Sequence, residues 1–164
     1  MIIKTFPIAE KLLKKGLNLN LELLDLLNKE ADSLRNLTNP ALLSNLAKAK
    51  KETVSQLNLF SKQLSQVLST EKLEMAAEGV FRYFKKAEEV SINTDKSEGY
   101  WKEILAIAKQ CRALNENNGA SINLLTQYSQ RSLHILQGKS QQPISYGSDG
   151  SAKRELFSHT LYSV

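Results

Sequence analysis

The sequence predicts an all-α protein, and three observations carry that reading. Leucine supplies 27 of 164 residues while Gly (7) and Pro (3) are scarce, so little interrupts long helices and an all-β domain is excluded. Apolar residues recur at alternating spacings of three and four over whole segments, the period of a helix with one buried edge. Thr38-Asn39-Pro40 separates the first two such segments, and a break this short folds two helices back antiparallel. The expected architecture is a long antiparallel helical hairpin plus a third long helix, a coiled-coil-like bundle over residues 1–138. A flexible C-terminal tail over 139–164 should follow.

The first helix is expected from about Ile8 to Leu37. Leu13, Leu17, Asn20, Leu24, Leu27, Ala31 and Leu34 make a heptad seam. Leu12, Leu19, Leu23, Leu26 and Leu37 widen the apolar stripe, which implies more than one neighbouring helix. Asn20 can fix register or lie near a frayed end, and the second reading is preferred. Asn39 is a good N-cap with Pro40 at the first helical position. The second helix should run from Pro40 to about Leu68, with Leu42, Leu46, Thr53, Leu57, Phe60, Leu64 and Val67 inward and Lys50 as the one intrusion. Arms of roughly 28 residues would span about 40 Å.

Ser69 or Thr70 can cap a helix carrying Leu73, Ala76, Ala77, Val80, Phe81, Phe84 and Ala87, either a continuation of the second helix or a separate one. Gly79 should weaken it by about 1 kcal/mol relative to Ala. Residues 92–99 (INTDKSEG) read as a polar loop. The last helix should run from about Tyr100 to Gln137, stopped by Gly138. Trp101, Ile104, Leu105, Ala108, Cys111, Leu114, Asn118, Ile122, Leu125, Leu133 and Leu136 would form its inner side, with Asn115, Asn117 and Asn118 turning the centre of that seam polar.

Composition points away from an enzyme. One Cys and two His, His134 and His159, leave little for a thiolate zinc site, a disulfide framework or a catalytic metal, and no cofactor loop or triad has plausible context. Cys111 falls on the apolar spacing and reads as a small core residue, and His134 as a helix-end cation. The net charge of +5 and pI near 9.3 fit a solvated basic face. The clusters Lys48/Lys50/Lys51 and Arg82/Lys85/Lys86 lack interleaved aromatics, so no nucleic-acid partner is expected. The start, MIIKTFPIAEKLLKKG, is no signal peptide, and no run reaches the roughly 18 apolar residues of a membrane span, so a cytoplasmic protein without membrane insertion is expected. The informative feature is a surplus of apolar helix face, which fits either a module that binds another amphipathic helix or a homodimeric coiled-coil adaptor.

From Trp101 onward the sequence resembles flagellar export chaperones of the FlgN family. Trp101, Leu114-Asn115, Asn118-Gly119, Leu133 and Leu136 carry the likeness, followed by Tyr146-Gly147-Ser148-Asp149-Gly150, in the order of the family's LN-x-x-NG helix and YG-x-DG tail. Residues 71–98 look longer than the family's usual connection, and the ending KRELFSHTLYSV has no family counterpart. The resemblance implies a non-enzymatic cytoplasmic chaperone for the C-terminal helical segments of hook–filament junction proteins of the FlgK and FlgL type. It would prevent their premature assembly and deliver them to the export gate protein FlhA. Leu114, Asn118, Ile122, Leu125, Leu133 and Leu136 are the candidate client contacts. The family's gate contact carries over to Tyr146, with Gly147, Asp149 and Gly150 shaping the turn around it.

Overall fold

The computed structural model describes residues 1–36, 39–137, 145–146 and 152–153. Four helices follow one another: α1 (Ile2–Arg35), α2 (Pro40–Thr70), α3 (Ala77–Glu88) and α4 (Asp95–Leu136). Two short strands, β1 (Ser145–Tyr146) and β2 (Ala152–Lys153), pair antiparallel, Ser145 opposite Lys153 and Tyr146 opposite Ala152. The chain divides into two units, Met1–Ile122 and Asn123–Val164. Leu37, Thr38, Gly138, Pro143, Gly147, Asp149, Gly150 and residues 154–164 lie outside the described residues, as does most of the segment expected to be a flexible tail.

The first unit is built on the predicted hairpin. α1 and α2, at 34 and 31 residues, are each about 45–50 Å long. Asn39 caps α2 as its position predicts, its Oδ1 accepting from the Ala41 amide at 2.9 Å. The α1 seam holds: Leu13, Leu17, Asn20, Leu27 and Leu34 are buried, Leu24 and Ala31 half-buried. Gly16 brings the two helices close, because the buried Phe60 ring lies where a Cβ would stand.

α1 begins six residues before the expected start and runs through Pro7. A proline there forfeits one backbone hydrogen bond. Packing of the first turn outweighs that loss: Ile2 and Phe6 are buried, the Phe6 ring stacks on Tyr83 at 6.3 Å, and the hydroxyls of Thr5 and Tyr83 lie 2.9 Å apart. Asn20 consequently sits mid-helix rather than near a frayed end. It is buried, and its Nδ2 donates to the Gly16 carbonyl at 2.8 Å. Leu42, expected inside, is 45% exposed in the first turn of α2, at the turn end of the hairpin.

α3 is a separate helix, and neither Ser69 nor Thr70 caps it: both lie in the last turn of α2, and Ala76 precedes α3 without a side-chain cap. Lys72 adopts φ 56°, the Leu73 amide donates to the Leu68 carbonyl and the Lys72 amide to that of Ser69. That is a Schellman stop with lysine at the left-handed position. α3 stops the same way, with Ser91 at φ 62°, Ile92 bonded to Ala87 and Ser91 to Glu88. Leu73 and Ile92, the residues after each left-handed turn, pack on the core. Val80, Tyr83, Phe84 and Ala87 are buried as the spacing predicts, apart from Tyr83, which it missed, whereas Ala76 and Ala77 are exposed. Gly79 does not weaken α3 in this setting: a methyl there would overlap the Glu74 carbonyl oxygen.

The polar loop is shorter than expected. Asn93 Oδ1 accepts from the Asp95 amide at 3.1 Å, and Thr94 donates to Glu88 at 2.8 Å, so α4 starts at Asp95 instead of Tyr100. Asp95 and Glu98 in its first turn suit the positive end of the helix dipole. Among the described residues no helix is long and apolar enough to cross a membrane, and no group of His, Cys, Asp and Glu could hold a metal ion.

Candidate functional site

α4 changes character along its length. Ser97, Trp101, Ile104, Cys111 and Asn118 are buried, and beyond Asn118 no described residue of α4 is. The inner side expected over the whole helix therefore ends at Asn118. Leu105 is exposed within the buried half, and Ile122, Leu124, Tyr128, Leu133, Ile135 and Leu136 expose large apolar groups beyond it, Leu136 at 83%. The period of the apolar residues was read correctly, but a stripe needs a partner to be an inside, and α1 covers α4 only where the two meet.

That meeting is made by polar atoms. Asn118 Nδ2 donates to the Leu27 carbonyl at 3.0 Å and to Glu30 Oε2 at 2.9 Å. Glu30, 4% exposed, also receives Lys50 Nζ from α2 at 2.8 and 3.0 Å, and Lys50 reaches Asn115 Oδ1 at 3.4 Å. The intrusion on the α2 seam and the polar centre of α4 thus answer one another through a single carboxylate of α1. Burying an unpaired carboxylate is costly, and three hydrogen bonds from two donor groups, Lys50 and Asn118, relieve that cost. Cys111 lies one helical repeat earlier, buried, its Sγ 3.8 Å from the Asn20 carbonyl. Burial pushes the thiol pKa up, which keeps it protonated and a poor nucleophile.

Beside this junction a groove of about 490 Å³ runs between α2 and α4 over α1. Leu23, Leu27, Val54, Leu57 and Ala108 supply its apolar surface, and every charged residue lining it is basic: Lys50, Lys51 and Arg112. Sequence reading missed this groove. Lys50 breaking one apolar seam and the asparagines breaking another were the available signal, and neither seam alone shows that the two breaks face each other.

Of the candidate client contacts, Leu114 and Leu125 are half-buried, while Ile122, Leu133 and Leu136 are exposed. Asn118 stands apart, since both its burial and its amide are committed to α1. Tyr146 lies on β1, and β1 and β2 bracket residues 147–151; Gly147, Asp149 and Gly150 fall outside the described residues. A family model described as FlgN protein matches residues 3–154. No curated protein and no solved structure matches the chain.

Proposed function

The chain belongs to the FlgN family of flagellar export chaperones, and from that premise we propose that it binds the C-terminal amphipathic helical segments of hook–filament junction proteins of the FlgK and FlgL type. In the cytoplasm it keeps them from assembling early and hands them to the export gate protein FlhA. The observation that supports this reading is the exposed apolar second half of α4. Contiguous exposed apolar surface on a helix is where another amphipathic helix gains by docking, at roughly 25 cal/mol per Å² buried before ordering costs. Leu114, Ile122, Leu125, Leu133 and Leu136 are the proposed client contacts, and Asn118 holds the helix that presents them. Tyr146 is the proposed gate anchor, an aromatic group on β1, and Gly147, Asp149 and Gly150 are proposed to belong to the same docking motif.

The test is titration with C-terminal peptides of the FlgK- and FlgL-type proteins of the same organism. Wild-type protein should bind one peptide per chain with a negative heat-capacity change. Leu125→Asp with Leu136→Asp should abolish binding while circular dichroism still reports a helical protein. Loss of helicity in that variant would mark the two leucines as core. Tyr146→Ala should leave peptide affinity intact and weaken binding to the cytoplasmic part of FlhA, and an unchanged gate affinity removes Tyr146 from the docking site.

A further inference from the structure

Building on the chaperone reading, we propose that the groove between α2 and α4 is a seat for one amphipathic client helix whose apolar stripe is flanked on both sides by carboxylates. The floor is apolar and contributed by three helices, and Val54 and Ala108 on its two walls are exposed, so the surface is open to a side chain from outside. Along α2 the wall runs from Ala47 to Asn58, about 16 Å at the rise of a helix, which matches three turns of an occupant.

Charge selects the occupant. No carboxylate lines the groove, and its cations stand on opposite walls, Lys51 on α2 and Arg112 on α4. Lys50 is already neutralised by Glu30. Lys51 has no ion-pair partner among the described residues, and the Arg112 pair with Glu116 is a surface contact whose side chains are 81% and 64% exposed. Exposed pairs of that kind hold their partners weakly, so Arg112 is free to turn to an incoming carboxylate. A helix lying between the walls would meet a cation on each flank of its apolar stripe, the arrangement that coiled coils use to choose partners. A second copy of this chain, itself at +5, fits poorly, and the lining offers no aromatic platform for nucleic acid.

The experiment titrates the full-length chain with the same client peptides at low and high salt. Lys51→Glu with Arg112→Glu changes only exposed groups and should lower affinity about tenfold at low salt, with the difference shrinking as salt screens it. Replacing the acidic residues of the peptide by Lys should restore binding to that variant and not to wild type. Ala108→Trp, which fills the groove from an exposed position, should weaken binding of every peptide. Unchanged affinity in both variants, with wild type binding normally, overturns the groove as a seat and leaves the chaperone reading standing. Failure of wild type to bind either peptide overturns both. A dimer in light scattering that the charge reversal dissociates would assign the groove to a second copy and overturn the client assignment.

Discussion

Glycine has opposite meanings at two places in this chain. Gly79 stands where the Glu74 carbonyl oxygen crosses α3, so that any side chain must displace backbone, whereas Gly119 has open space around its missing Cβ. Gly79→Ala should therefore destabilise the protein by more than the roughly 1 kcal/mol that helix propensity alone would return, and Gly119→Ala should stabilise it by up to about 1 kcal/mol. Thermal melts of the two variants should move in opposite directions. A gain at Gly79 would mean that the chain before α3 can move aside freely. From sequence these positions look alike, since propensity treats a helical glycine as a cost wherever it falls. What separates them is the turn at residues 71–76, whose left-handed Lys72 and whose bonds back to Leu68 and Ser69 carry the Glu74 carbonyl to Gly79. Asn20 was similarly ambiguous on its seam, and it bonds back to its own helix, whereas Asn118 bonds across to α1.

Helix ends were harder to read than helix faces. The start of α2 was legible because Asn39-Pro40 carries its cap in its side chain and its ring. The ends of α2 and α3 were not, because the left-handed positions hold Lys72 and Ser91 instead of glycine. For residues with a Cβ that conformation costs about 1–2 kcal/mol, and the docking of Leu73 and Ile92 on the core offsets it. Lys72→Gly and Ser91→Gly should each raise stability by about 1 kcal/mol in chemical denaturation, with no change in helix content. Destabilisation by either would show that the lysine or serine side chain contributes more than its backbone costs. The start of α1 failed for a related reason, since Pro7 argued against a helix that the burial of Ile2 and Phe6 nevertheless stabilises.

Within the unit Met1–Ile122 the buried ion pair decides how α4 is held. Glu30 gathers Lys50 from α2 and Asn118 from α4 on one carboxylate, so three helices share this polar joint. Such a joint adds little net stability compared with an apolar core, but removing one partner strands the other. Lys50→Met should cost about 3–5 kcal/mol, since Glu30 would remain 4% exposed with its cation gone. Glu30→Gln combined with Lys50→Met should recover most of that loss, and the coupling in the double-mutant cycle measures the pair. The two variants also separate stability from client binding. If the joint only supports the fold, the double variant binds client peptides as wild type does. If it also sets the position of α4 beside the groove, the double variant stays folded yet binds more weakly, and hydrogen exchange in α4 near Asn118 rises with the loss. Additive single effects would show that Glu30 and Lys50 are not coupled, leaving α4 held by its apolar contacts at Trp101 and Ile104 and by the Asn118 bond to the Leu27 carbonyl.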